Sequence, residues 1–176
     1  MTMEKTVTIP EGVQVQMEGT LLTITGPKGT LQRDVRYPQV SVTVDADTET
    51  IVVRTDASRK QIVAMVGTLA AHIRNMCKGV TEGFEYSMKV VFAHFPIQLK
   101  LQGNMLVIEN FLGEKQSRKA RIEEGVTAKV SNDEIILTGI NKESVGNSAA
   151  HIEHATKIRN RDPRVFQDGI YIVGKA

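Results

Sequence analysis

One stretch of this chain is written twice. Ala70-Ala71-His72-Ile73 returns as Ala149-Ala150-His151-Ile152, 79 residues further on, and Gly67 returns with it as Gly146. Upstream, Ile51-Val52-Val53-Arg54-Thr55 corresponds to Glu134-Ile135-Ile136-Leu137-Thr138 at an offset of 83. Earlier still, Leu21-Leu22-Thr23-Ile24 corresponds to Met105-Leu106-Val107-Ile108 at an offset of 84, which sets Gly29 against Gly113. Three blocks in one order point to a duplicated unit rather than to chance. Whatever this chain folds into must therefore be built twice.

The elements of the unit are legible. Ile62, Val66, Leu69, Ile73 and Met76 recur at steps of four and three, one apolar stripe of a helix from about Ser58 to Lys78. Ser58 with Gln61 fits a capping box, and Gly79 is a natural stop. A second helix, about Lys142 to Ile158, keeps Val145, Ala149 and Ile152 on the matching face, with Asn141 at its start. The change of offset from 83 to 79 is about one helical turn, as if Ile62 to Met65 had been removed from the second helix without rotating its buried face.

Alternating residues mark the strands. Val13, Val15 and Met17 alternate with Gln14 and Gln16, as Ile97, Leu99 and Leu101 do with Gln98 and Lys100. Val40 to Val44 and Val126 to Val130 form a further matched pair, and Phe84 to Val91 and Gly169 to Val173 are expected to close the two units. The fold class is α+β: two tandem related domains, residues 1–93 and 94–176, each an antiparallel sheet packed against one helix. The junction falls near Ala93 to Pro96.

Hydrophobic residues at 41% and charged residues at 24% describe a globular chain. No apolar run approaches the ~20 residues of a membrane span, and Met1-Thr2-Met3-Glu4-Lys5 has no apolar leader, so a cytoplasmic location is expected. A single cysteine, Cys77, leaves no intramolecular disulfide and no thiolate metal cluster.

The net charge of +2 is small, but its distribution is uneven. Residues 1–92 hold ten Lys/Arg against ten Asp/Glu, and residues 93–176 hold twelve against ten. Since the two copies share what the fold needs, their differences point toward function. After the second helix comes a long connection bearing Lys157, Arg159, Arg161 and Arg164, where the first copy has only Val80-Thr81-Glu82-Gly83. Guanidinium forks on a rigid loop, stiffened at Pro163, suit phosphates. A solvated loop that complements a helix C-terminus accounts for only part of that charge. In the second copy Lys115, Arg118, Lys119 and Arg121 replace a mixed-charge segment, with Lys119 and Arg121 on one strand face and Arg118 on the other. A cationic edge strand that resists aggregation is the competing explanation. Aromatic residues are few and form no base-stacking stripe, so binding to phosphates and RNA shape is expected, with little reading of sequence.

Other motifs give no chemistry. Gly26-Pro27-Lys28-Gly29 lacks the spacing and the Lys-Ser/Thr ending of a phosphate loop and fits a hairpin turn. His151 and His154 could face one metal, but no third ligand is placed with them. His72 and His151 occupy matched positions, which suggests a structural role in the repeat. Glu123 and Glu124 point apart on a strand end. No nucleophile, base and orienting group come together, so no catalytic, cofactor or metal site is expected and the chain is read as non-enzymatic.

Asn110-Phe111-Leu112-Gly113-Glu114-Lys115, Gly146-Asn147-Ser148-Ala149-Ala150-His151-Ile152 and Phe166-Gln167-Asp168-Gly169-Ile170-Tyr171 together resemble the L-six family of large-subunit ribosomal proteins, in its archaeal and eukaryotic branch. The resemblance spans essentially the whole chain, including Ile24-Thr25-Gly26-Pro27-Lys28-Gly29. It implies paired α+β domains bound to large-subunit ribosomal RNA near the sarcin–ricin region, where translation factors dock, with neighbouring ribosomal proteins as further partners. It also implies that the C-terminal domain makes the principal RNA contacts. Carried onto this sequence, that role falls on Lys115, Arg118, Lys119, Arg121, Lys157, Arg159, Arg161 and Arg164, with Lys175 a weaker candidate. The runner-up is a protein-interaction adaptor that docks through its neutral first domain.

Overall fold

The computed structural model describes residues 3–45, 48–92, 94–162 and 164–176. The chain divides between Gly83 and Phe84. Each unit opens with a strand and ends its common part with a helix. In unit one, β1 (Met3–Thr8) pairs with β6 (Thr50–Thr55), which pairs with β5 (Ser41–Asp45). A second sheet is the meander of β2 (Gln14–Glu18), β3 (Leu21–Gly26) and β4 (Gly29–Asp34). Helix α1 (Lys60–Thr81) buries Val66, Leu69, Ala70, Ile73 and Met76 against Val7, Leu22, Ile24, Ile51 and Val53.

Unit two repeats that order. β7 (Phe84–Val91) pairs with β12 (Glu134–Gly139), which pairs with β11 (Val126–Val130), and β8 (Gln98–Gln102), β9 (Met105–Glu109) and β10 (Arg118–Arg121) make the small meander. Helix α2 (Lys142–Ala155) buries Val145, Ser148, Ala149 and Ile152. Among the described residues one strand has no counterpart: β13 (Gly169–Lys175) pairs with the far edge of β7.

The duplication is therefore as expected, but its frame is not. Phe84–Val91 does not close the first unit; it opens the second, as β1 opens the first. Its buried residues, Phe84, Tyr86, Met88 and Val90, belong to the second core, so the boundary at 93/94 is corrected to 83/84. Ala93 itself lies outside the described residues. Unit one then has nine Lys/Arg against nine Asp/Glu, and unit two thirteen against eleven. The charge asymmetry survives the shift.

Two registers also change. Ile51 and Val53 are buried in one unit and Ile135 and Leu137 in the other, so the matched offset is 84. An offset of 83 would set inward side chains against outward ones. Past the meander hairpin, Leu31 faces Ile24 and Arg118 faces Ile108. That is an offset of 87, so the second hairpin is longer and Gly113 is not the equivalent of Gly29.

In the helices the offset of 79 holds for every matched buried position, Val66 with Val145 through Ile73 with Ile152. The length difference is spread over both helix ends and the loop before them. Arg59, not Ser58, caps α1, without a side-chain bond, whereas the Asn141 side chain accepts from the Glu143 N–H. The helix runs through Gly79 and stops at Gly83, whose φ of 79° lets its N–H return to the Lys78 carbonyl.

These pairings predict where the chain can be cut. A polypeptide of residues 84–176 should unfold in one cooperative thermal transition. One of residues 94–176 has lost the strand lying between β12 and β13 and should show no such transition by circular dichroism. Equal melting of the two would contradict the frame described above.

Candidate nucleic-acid interface

The last four carbonyls of a helix lack intrahelical partners, and in both units the meander hairpin supplies one. In unit one the Gly26–Gly29 turn, a hairpin as its sequence suggests, lies against the end of α1. The Lys28 N–H donates to the Val80 carbonyl at 2.9 Å, and the Lys28 ammonium donates to the carbonyl of Glu82. Gly26 is required there, because a Cβ would fall 2.7 Å from the Val80 side chain.

In unit two the corresponding cation is Arg118. Its Nη1 donates to the carbonyls of Ala155 at 2.9 Å and Lys157 at 3.0 Å, where α2 ends. Its Nε and Nη2 donate to the two Glu114 carboxylate oxygens at 2.9 and 2.6 Å, and the guanidinium sits 4.3 Å from the Phe111 ring centre. The hairpin that delivers it is tightly bent. Asn110, Leu112 and Gly113 all have positive φ, and Leu112 is nevertheless buried beside the fully buried Phe111. Such a backbone costs on the order of 1–3 kcal/mol at a non-glycine residue and persists only where its surroundings hold it. Here the Asn110 amide donates to the Pro96 carbonyl, and the Phe95 ring lies against Gly113. Asn-Phe-Leu-Gly-Glu thus shapes a hairpin that clamps the start of the basic loop.

The far end of that loop is anchored equally firmly. Asp168 is 1% exposed and accepts from the His94 Nδ1–H at 2.9 Å and the His94 backbone N–H at 3.3 Å. The His94 ring stacks on Phe166, and the Arg161 guanidinium lies 4.8 Å from the centre of the same ring. Buried Thr156 joins helix to strand, its hydroxyl donating to the Ile152 carbonyl and accepting from the Ile170 N–H. Between these anchors Lys157, Arg159, Arg161 and Arg164 are exposed. Asp162 organises the turn that carries Arg164, accepting at its carboxylate from the Arg164 N–H and at its carbonyl from the Val165 and Phe166 N–H groups. Pro163, read as a stiffening element, lies outside the described residues.

Lys119 and Arg121 are also exposed, flanking buried Ala120 on β10. With His151 and His154 of α2 they line one groove. The His151 Nδ1 must carry its proton, since its partner at 3.1 Å is the Arg121 carbonyl. In unit one the Arg33 guanidinium likewise meets His72 Nε2 at 3.2 Å. Each repeat histidine therefore reaches the edge strand of its meander, the structural role expected of the pair. His154 lines both this groove and a neighbouring cleft that includes Lys157, so the β10 cations and the start of the loop border adjoining hollows. Lys115 is exposed beside Glu114.

Two of the nine candidate cations are placed otherwise. Arg118 has four donor contacts committed inside the unit and belongs to the fold. Lys175 lies at the opposite end of β13 from the loop, roughly 20 Å along the strand from Gly169, with its ammonium 5.5 Å from the Tyr86 ring centre. The hairpin strain and the inward turn of Arg118 left no periodicity to read. The sequence signal for them was Glu114 four residues before Arg118, a spacing that reads as a simple charge pair.

The clamp gives a pH prediction. The hydrogen bond from Arg118 holds the Glu114 carboxyl below its ordinary value of 4.5, against the opposing effect of desolvation, with the charges of Arg118 and Arg161 assisting. The stability this adds is complete above 4.5 and disappears as pH falls through the lowered folded-state value. Glu114→Gln should therefore melt below the parent at pH 7, with the gap closing on acidification below about 4.5. Arg118→Ala should cost roughly 1.5–3 kcal/mol at neutral pH. A pH-independent gap between parent and Glu114→Gln in thermal melts would contradict the clamp.

A family model described as ribosomal protein L6 matches the chain twice, over residues 9–83 and 95–169, one match to each unit. The chain is 57% identical to the large ribosomal subunit protein uL6 of Methanospirillum hungatei, over all of this chain and 99% of that protein. It is 52% identical to the uL6 of Methanosarcina mazei, over 98% of this chain and 97% of the relative, and 51% identical to that of Methanocella arvoryzae, over 96% and 94%. Two matched repeats, the doubled unit and full-length identity to archaeal relatives lead to one conclusion: this chain belongs to the ribosomal protein L6 family, in its archaeal branch.

Proposed function

We propose that this chain is a structural constituent of the large ribosomal subunit and binds large-subunit ribosomal RNA chiefly through its second unit. The observation that carries the reading is the sorting of cations in that unit. Arg118 turns into the unit and Lys175 lies at the far end of β13, whereas Lys119, Arg121, Lys157, Arg159, Arg161 and Arg164 all stand exposed on β10 and on the loop after α2. Lys115 extends the set along the hairpin. Charges needed only for solubility have no reason to gather on a loop anchored at both ends. A loop held in place loses little conformational freedom when it meets phosphate, which favours binding.

The names of the relatives, large ribosomal subunit proteins, support the same role, and with it a ribosomal and therefore cytoplasmic location and neighbouring ribosomal proteins as partners. Among the described residues no helix is long and apolar enough to cross a membrane. A position near the sarcin–ricin region and contact with translation factors follow from the family resemblance and belong to this proposal. No catalytic role is proposed.

Binding through phosphates has a definite salt signature. Affinity for deproteinised large-subunit RNA should fall a hundredfold or more between about 50 and 200 mM salt. Changing Arg159, Arg161 and Arg164 together to Ala should reduce the salt slope by about one for each phosphate no longer neutralised, with melting little changed, since exposed substitutions usually stay within about 0.5 kcal/mol. Ile152→Ala, at a side chain with no exposed surface, should do the reverse, destabilising by roughly 2–5 kcal/mol while the folded fraction binds normally. Nearly flat salt dependence would favour a protein partner over RNA.

A further inference from the structure

The basic face surrounds a cleft that is not basic. Between the end of α2 and the start of β13 lies a cavity of about 430 Å³, lined in part by Ile158, Phe166 and Tyr171, with Glu153, His154, Lys157 and Gln167 at its polar margin. That volume is within the range of about 300–1,000 Å³ of clefts that hold small organic ligands. Tyr171 is held in place although 42% of it is exposed. Its hydroxyl donates to the Gln167 carbonyl at 2.9 Å, and its ring rests on Gly169, where a Cβ would stand 3.1 Å from ring atoms. Gly169 lacks a positive φ, so it is the ring, which would have to shift by a few tenths of an ångström, and not the backbone that crowds a side chain at this position. The sequence shows no stacking stripe because the two aromatic side chains come from a loop and a strand five residues apart.

From this geometry we infer that the cleft receives one unstacked nucleobase of the bound RNA, with the attached phosphates on the adjoining groove of Lys119 and Arg121. This rests on the RNA-binding reading above and adds to it. A largely apolar hollow with Lys157 at its margin and the Lys119 and Arg121 groove beside it suits a ligand with a flat, weakly polar part joined to an anionic chain, and an unpaired nucleotide has that form. Stacking on an aromatic ring accepts any base, while the Gln167 amide, both donor and acceptor, can reach a base edge. The single-stranded and looped segments of folded RNA are where such bases are found.

The test uses the full chain and deproteinised large-subunit RNA, titrated over a range of salt. Tyr171→Ala should weaken binding by about tenfold, with an unchanged salt slope, because stacking releases no counterions. Tyr171→Phe, which keeps the ring, should bind within about twofold of the parent. Glu153→Trp provides a second variant at an exposed helix position on the cleft wall, should Tyr171→Ala melt early. Removing an acid beside RNA should by itself strengthen binding, so weakening by Glu153→Trp means that a blocked cleft matters. If Tyr171→Ala and Glu153→Trp both bind like the parent while the triple arginine variant is weakened, the base cleft is wrong and RNA binding stands. If the parent itself fails to bind the RNA, both readings fall.

Discussion

A helix ends on carbonyls that nothing within it can satisfy, and in both units the cation of a meander hairpin meets them. Lys28 does so for α1 and Arg118 for α2. The contact joins the small sheet to the helix and thereby closes the core on one side. In the second unit it also sets the geometry of everything after the helix, because the carbonyls that Arg118 holds, Ala155 and Lys157, are where the basic loop begins. Asp168 then fixes the end of that loop. A loop pinned at both ends can present several guanidinium groups in one arrangement.

Two kinds of positive charge follow, with different physics. Arg118 is committed to a carboxylate, two carbonyls and a ring, so its removal acts on stability. The outward cations make few internal contacts, so their removal acts on what they meet outside. Arg161 lies between these classes: it packs on Phe166 and assists Glu114 electrostatically while its surface remains exposed. The extra strand β13 has a related consequence. It covers the edge of β7 and brings Tyr171 to the foot of the loop, so the second copy gained both a completed sheet and a wall for the adjoining cleft.

Much of this was legible in the sequence, and what was missed has physical reasons. The helix repeat could be read because buried faces recur at fixed steps, and Val66 to Ile73 match Val145 to Ile152 without a slip. The alternating strands were equally clear. The frame of the duplication was not, since a strand such as Phe84–Val91 looks the same whether it ends one unit or opens the next; only its pairing partners decide. The offset in β12 slipped by one because Ile135-Ile136-Leu137 is apolar on both faces and does not declare its register. Of the nine cations proposed for RNA, Arg118 turns inward, which composition cannot show for a long side chain, and Lys175 lies at the other end of β13 from the loop, which only the strand's direction reveals. The base-sized cleft was invisible for the same reason.

The central claim is that the doubled unit acquired its RNA surface in one copy. The most direct measurement is the affinity of the separate pieces, residues 1–83 and 84–176, for deproteinised large-subunit RNA as salt is raised. The account predicts that 84–176 keeps most of the affinity and salt slope of the full chain, while 1–83, with equal numbers of acidic and basic residues, binds weakly and with a shallow slope. Equal affinities and slopes for the two pieces would contradict it.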